Sequence, residues 1–256
     1  MNRIQDLFKK KNSKILSIYC TAGYPYLDST LPVMKALQEH RADMIELGMP
    51  YSDPLADGPV IQASGNKALG NGMTIMKLLG QLSDFRKEIS LPVILMGYMN
   101  PIMQYGFEKF CADAASAGVD GLILPDLPIH EFETEYRAVI EKSGLDFVFL
   151  VTPETSDERI KKLDALSSGF LYAVSSSSTT GKNKSLQDQS AYFKKLQGLE
   201  LKNPVLVGFG IRDKETFDEA CRYTNGAIIG TAYIKALENA TDISEITKQF
   251  IKRIIT

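Results

Sequence analysis

Eight short apolar runs recur along the chain, and no other feature narrows its fold as much. They are KILSIYCTAG (14–23), ADMIELGMP (42–50), LPVILMGYM (91–99), VDGLILPDL (119–127), DFVFLVTP (146–153), GFLYAVSS (169–176), NPVLVGFG (203–210) and GAIIGTA (226–232). Several are apolar throughout rather than alternating, the pattern of parallel strands covered on both faces. Between them lie segments such as DSTLPVMKALQEH, EKFCADAASAG, HEFETEYRAVIEKSG, SDERIKKLDALSSG and KETFDEACRYT. Their apolar residues fall three and four apart, as on helices with one buried stripe. Several end in Gly just before the next run, where a helix C-terminus commonly falls. Eight strand–helix units in 256 residues have the count and order of a (β/α)8 barrel. The alternative, an open doubly wound sheet, more often carries GxGxxG after its first strand, and here the first run ends TAGYP. The expected fold is therefore α/β, a (β/α)8 TIM barrel with an extra N-terminal helix in MNRIQDLFKKKNSK. It is expected to fill residues 1–256 as one domain, since no linker, low-complexity tract or block of like charge marks a second.

Composition removes several classes of function. Hydrophobic residues make up 44% of the chain and the net charge is −2, which gives bulk electrostatics no hold on nucleic acid or a membrane surface. No run approaches the roughly 18 consecutive apolar residues of a membrane span. The N-terminal stretch is charged and lacks the apolar core of a secretory signal. Cys20, Cys111 and Cys221 are scattered, which suggests reduced thiols rather than a disulfide framework, and a cytoplasmic protein is expected.

In a barrel of this kind, chemistry sits at the C-terminal ends of the strands. Glycines gather at three late strand ends: Thr180-Gly181, Gly208-Phe209-Gly210 and Gly230-Thr231. Glycine lets backbone N–H groups approach an anion closely, so a phosphate site is expected there. One such glycine would signify only a tight turn. The second run holds an anomaly, a carboxylate at Glu46 among residues that should be buried. Alternation puts Met44, Glu46 and Gly48 on one strand face. A buried, unpaired carboxylate tends to take up a proton, and a group poised near neutrality suits proton transfer. A structural Glu that accepts hydrogen bonds from neighbours fits the same pattern. A second acid, Asp57, lies in the following loop, where Asp before Gly is also a common turn pair, and Asp53 reads as a turn or cap residue.

Two histidines, His40 and His130, preclude a three-histidine zinc site. The sixth run carries no lysine for the Schiff-base chemistry of barrel aldolases. If this barrel breaks a carbon bond, the substrate must bring its own electron sink, and the protein would supply carboxylates and an apolar cavity.

The stretch IELGMPYSDPLADGPVIQ (45–62) closely resembles LELGxPFSDPxADGPxIQ of the tryptophan synthase alpha subunit, with Tyr51 where Phe is usual. The similarity runs through CTAGYP, MGYMNP, LPDLP, Thr180-Gly181, GFGI and IIGTAYIK. The resemblance implies a lyase that splits indole-3-glycerol phosphate into indole and glyceraldehyde 3-phosphate, the indole ring being the electron sink. It implies Glu46 as the principal acid/base and Asp57 as the second acid, bonded to the indole N–H. Tyr19, Tyr98, Ile123 and Tyr172 would line the indole pocket. Thr180, Gly181, Gly210, Ile211, Gly230 and Thr231 would contact the substrate, most of them at its phosphate. It implies no metal or organic cofactor in this subunit, and a beta-subunit partner carrying pyridoxal phosphate in an alpha2beta2 complex. Asp53, Pro54 and Asn100 would lie on the contact surface. The family usually shows an Arg and a Gly before Val-Thr-Gly. Ser176 and Ser178 stand in their places, so loop closure over the substrate is expected to use other contacts. Another phosphate-binding barrel would share the late glycines but not LADGPxIQ, and a scaffold that had lost its chemistry would not need both acids.

Overall fold

The computed structural model describes residues 2–174, 186–208 and 210–256. Nine strands form one parallel sheet: β1 (Ile15–Thr21), β2 (Met44–Gly48), β3 (Val93–Met96), β4 (Gly121–Ile123), β5 (Asp146–Phe147), β6 (Leu150–Val151), β7 (Leu171–Val174), β8 (Val205–Gly208) and β9 (Gly226–Ile229). Their order is β5-β4-β3-β2-β1-β9-β8-β7-β6. The two ends of that order are consecutive in sequence. β5 and β6 are halves of one run, interrupted at Val148-Phe149, with β5 on β4 and β6 on β7. The break is itself bonded, since Val148 N–H donates to Leu122 O and Tyr172 N–H donates to Phe149 O, both at 3.0 Å. The sheet therefore closes on itself as the expected (β/α)8 barrel. All seven residues of β1 and all five of β2 are buried, which is why these runs are apolar on both faces.

The helices follow the three-and-four spacing. Phe107–Ala117 ends at Gly118, whose φ of 102° is the left-handed cap that favours glycine. Asp157–Leu166 is capped by Ser156, which accepts from Arg159 N–H. The segment expected as one helix over 130–144 contains a π-helical stretch at Phe132–Tyr136, a departure that hydrophobic spacing does not encode.

The extra N-terminal helix, Arg3–Lys10, sits under the barrel. Asn2 caps it by accepting from Ile4 and Gln5 N–H. Asn2 Nδ2 also donates to Asp146 Oδ2 at 2.6 Å and to Asp120 O at 3.2 Å. Arg3 and Arg86 both pair with the buried Asp120 carboxylate, and Ile4 is wholly buried. With that end filled, the opposite end, where the strands terminate, is left for a site. No helix among the described residues is long and apolar enough to cross a membrane.

Candidate active site

Strand register assembles the site. Tyr19, Glu46 and Ile94 are partners across β1, β2 and β3, so they share the inward face of the barrel. At that face a pocket of about 550 Å3, open mouth included, is walled by Tyr19, Glu46, Met96, Tyr172, Ile211 and Ile228, with Asp57, Gly58, Ile61, Gly210, Gly230 and Thr231 completing it.

Glu46 is 2% exposed, and its Oε2 is one of few buried polar side-chain atoms among the described residues that lack a hydrogen-bond partner. Burial, and secondarily the nearby charge of Asp57, push its carboxyl from 4.5 up to about 8. At neutral pH it is a carboxylic acid with an open valence facing the cavity. This answers why a carboxylate interrupts an apolar run, since the neutral form is far less costly to bury.

Asp57 arrives from the loop after β2. Burial raises its carboxyl, opposed by a hydrogen bond from the Tyr98 hydroxyl. The same hydroxyl accepts from Ala56 N–H at 3.1 Å. Burial, with the charge of Asp57 behind it, raises the Tyr98 phenol, so Tyr98 stays a neutral donor. The site thus holds two acids of unlike environment: Glu46 without a partner on one oxygen, Asp57 with a donor that favours its charged form. Burial raises both carboxyls, and only at Asp57 does a hydrogen-bond donor work against that rise.

Tyr19 and Tyr172 reach the cavity in the same manner. A Cβ on Gly48 would overlap the Tyr19 hydroxyl, and one on Gly208 would overlap the Tyr172 hydroxyl. Each strand-end glycine thereby vacates the space its neighbour's phenol occupies. Thr21 Oγ1 lies 3.5 Å from the Tyr19 hydroxyl and 2.7 Å from Ser64 Oγ, a short chain along the wall. Burial raises both phenols well above their ordinary value.

Of the residues singled out in the sequence, the structure brings Glu46, Asp57, Tyr19, Tyr172, Gly210, Ile211, Gly230 and Thr231 around one cavity. Gly230 caps the helix Thr231–Leu237 without a capping side chain. Tyr98 stands behind the cavity wall and acts on it through Asp57. Ile123 is fully buried in β4 as the register partner of Met96, and Met96 is the wall on that side. Met96 lies one strand nearer Glu46, and Ile123 stands beside it in register. Asp53 and Asn100 are exposed and Pro54 is half-buried, all outside the cavity. Thr180, Gly181, Ser176 and Ser178 lie outside the described residues. Sequence reading missed Met96, Ile61 and Ile228 as wall residues. Ile228 had a signal, since alternation in GAIIG puts it on the face of Gly226 and Gly230. Ile61 had none.

Fold and site together define a (β/α)8 barrel with two burial-raised carboxyls at one cavity beyond its strand ends. Residues 5–254 match the family model for the tryptophan synthase alpha chain. The chain belongs to that family of carbon–carbon lyases, and its reaction is the cleavage of indole-3-glycerol phosphate in tryptophan biosynthesis. The tryptophan synthase alpha chain of Flavobacterium johnsoniae is 52% identical over 241 residues, covering 94% of this chain and 95% of that one. That of Flavobacterium psychrophilum is 50% identical over 256 residues, covering 99% and 100%. Among solved structures, tryptophan synthase subunit alpha from Legionella pneumophila superimposes with a TM-score of 0.90 at 37% identity, covering 99% of this chain and 97% of that one.

Proposed function

We propose that Glu46 is the acid and base of the cleavage and Asp57 the fixed anion beside the indole nitrogen. The reading rests on one observation above others: a buried carboxyl with an unpartnered oxygen faces the cavity and is held neutral at physiological pH. In the reaction, neutral Glu46 gives its proton to indole C3. Positive charge then spreads over C2 and the ring nitrogen, where the Asp57 carboxylate stabilises it. The Glu46 carboxylate now takes the proton of the side-chain hydroxyl next to the scissile bond. The O–H pair becomes the carbonyl of glyceraldehyde 3-phosphate, and the carbon–carbon bonding pair returns to C3 and restores the indole ring. Glu46 ends protonated, as it began, so protons and electrons balance over the turnover.

Tyr19, Met96, Tyr172 and Ile228 give the ring an apolar slot. The phosphate is assigned to the backbone around Gly210, Ile211, Gly230 and Thr231 on the far side of the cavity, with Thr180 and Gly181 as further contacts. No step calls for a metal or an organic cofactor in this chain, because the protonated indole is the electron sink. A beta subunit carrying pyridoxal phosphate is the assigned partner, in an alpha2beta2 complex. Asp53, Pro54 and Asn100 would face it. Leu55, 83% exposed, and Met103, 49% exposed, support this by leaving apolar surface around those three residues. A cytoplasmic location follows from a biosynthetic role of this kind.

The deciding experiment is indole release from indole-3-glycerol phosphate by Glu46→Gln. The amide keeps the shape and cannot exchange the proton, so a loss of roughly a hundredfold or more in kcat is expected. Turnover at the wild-type rate would remove Glu46 from the chemistry.

A further inference from the structure

The loop that delivers Asp57 is fastened at both ends to one short segment of the barrel rim. At its far end, Ala56 N–H donates to the Tyr98 hydroxyl at 3.1 Å, holding that hydroxyl against the residue next to Asp57. At its near end, Asn100 Nδ2 donates to the Tyr51 hydroxyl at 3.0 Å, and the Tyr51 ring leans on that of Tyr98 with centroids 5.5 Å apart and planes at 35°. The segment receiving these contacts is itself held. Asn100 Oδ1 accepts from Gln104 Nε2 at 3.3 Å, one turn along the helix Met99–Tyr105. Met99 N–H, at the start of that helix, donates to both oxygens of Asp126, at 3.0 and 3.1 Å.

We propose that Tyr51 is a positioning residue for Asp57, its hydroxyl clamping the loop to Asn100 so that the Tyr98 ring, and the Ala56 backbone bonded to it next to Asp57, keep one geometry. The proposal rests on the assignment of Asp57 as the fixed anion. Phe, the usual residue at this position in the resembling pattern, would keep the ring contact and lose the clamp. The hydroxyl adds one polar tie at the start of a loop with three polar or acidic side chains and one proline between Tyr51 and Gly58. A tie there removes freedom that Asp57, next to the Ala56–Tyr98 bond, would otherwise spend on poses away from the Tyr98 hydroxyl.

The test uses the full chain as Tyr51→Phe, Asn100→Ala, the double variant and Asp57→Asn. Each is followed by steady-state kinetics and by NMR titration of 13C-labelled aspartate carboxyls, with the Asp57 signal assigned by its loss in Asp57→Asn. Each single change in the clamp should lower kcat roughly three- to tenfold, the size of one neutral hydrogen bond, with little change in KM. The Asp57 carboxyl should titrate at higher pH, because a weakened Tyr98 bond favours its charged form less. The double variant should be no worse than either single one. Thermal midpoints should stay together, since both side chains lie outside the core. An Asp57 titration unmoved by Tyr51→Phe, or losses that simply add, would overturn the clamp. Wild-type turnover by Asp57→Asn would instead overturn the role of Asp57, and the titration would still decide the clamp.

Discussion

Replacing Glu46 with Gln should make the protein more stable as it destroys activity, and the gain should grow with pH in a way fixed by the site. The carboxyl ordinarily titrates at 4.5 and in the fold at about 8. Between those values the unfolded chain has released a proton that the folded chain retains. Unfolding is then favoured as pH rises, by ~1.4 kcal/mol for each pH unit. Over the whole window the loss reaches ~5 kcal/mol, close to the lower end of the stability of an ordinary domain. Below 4.5 both states are protonated and the penalty vanishes; above about 8 both are ionised and it is constant. Gln cannot ionise, so the variant escapes this slope. Asp57 carries its own raised carboxyl, but burial and the Tyr98 bond set that shift, so it bends both curves alike and cancels in the difference. Urea unfolding of both proteins at pH 4.5, 6 and 7.5 provides the assay. The stability difference, Glu46→Gln minus wild type, should climb by roughly 1 kcal/mol or more per pH unit across that range. A pH-independent offset reports only how well the amide packs. Parallel curves for the two proteins would refute the reasoning, because a carboxyl that costs the same at every pH is not one held neutral by the fold.

The same shifts predict a bell-shaped pH dependence of indole formation. Activity should fall above about pH 8 as Glu46 loses its proton, and fall on the acid side at a pH above the ordinary aspartate value of 3.8 as Asp57 gains one. A kcat/KM profile that is flat to pH 9.5 would contradict the first limb. Gly208→Ala should displace the Tyr172 phenol from the cavity wall, costing about 1–3 kcal/mol in urea unfolding and raising KM for indole-3-glycerol phosphate; unchanged values of both would show that the phenol has room to move. Leu55→Asp should leave stability within about 0.5 kcal/mol of wild type, since the residue is 83% exposed, yet weaken beta-subunit binding tenfold or more by calorimetry.

The barrel was legible because parallel strands buried on both faces leave a mark that survives in single runs, and eight such runs with helices between them permit few closures. The two acids were legible for the opposite reason. Glu46 breaks a pattern that is otherwise apolar, and a broken pattern inside a core calls for a cause. What stayed hidden depends on distances between elements. Ile123 and Met96 are apolar residues at strand ends with nothing in their own sequence to rank them, and only the folded cavity shows that Met96 shares a wall with Glu46. The break in the fifth run and the π-helical stretch were hidden too, since both change backbone pairing without changing hydrophobic spacing.

The acidity of Glu46 is set by residues that do no chemistry. Its carboxyl is high because the cavity wall around it is made of phenol rings, Met96 and branched aliphatic side chains, and those rings fit because Gly48 and Gly208 have no side chain. A Cβ at either glycine would push a phenol aside and admit water where apolar surface now stands. Water would solvate the charged form of Glu46 and bring its carboxyl back towards 4.5. The strand-end glycines therefore bear on the proposed proton transfer at one remove. They hold the low-dielectric wall in place, the wall holds the proton on Glu46, and in the mechanism proposed above that proton is the one the indole ring receives before its side chain leaves.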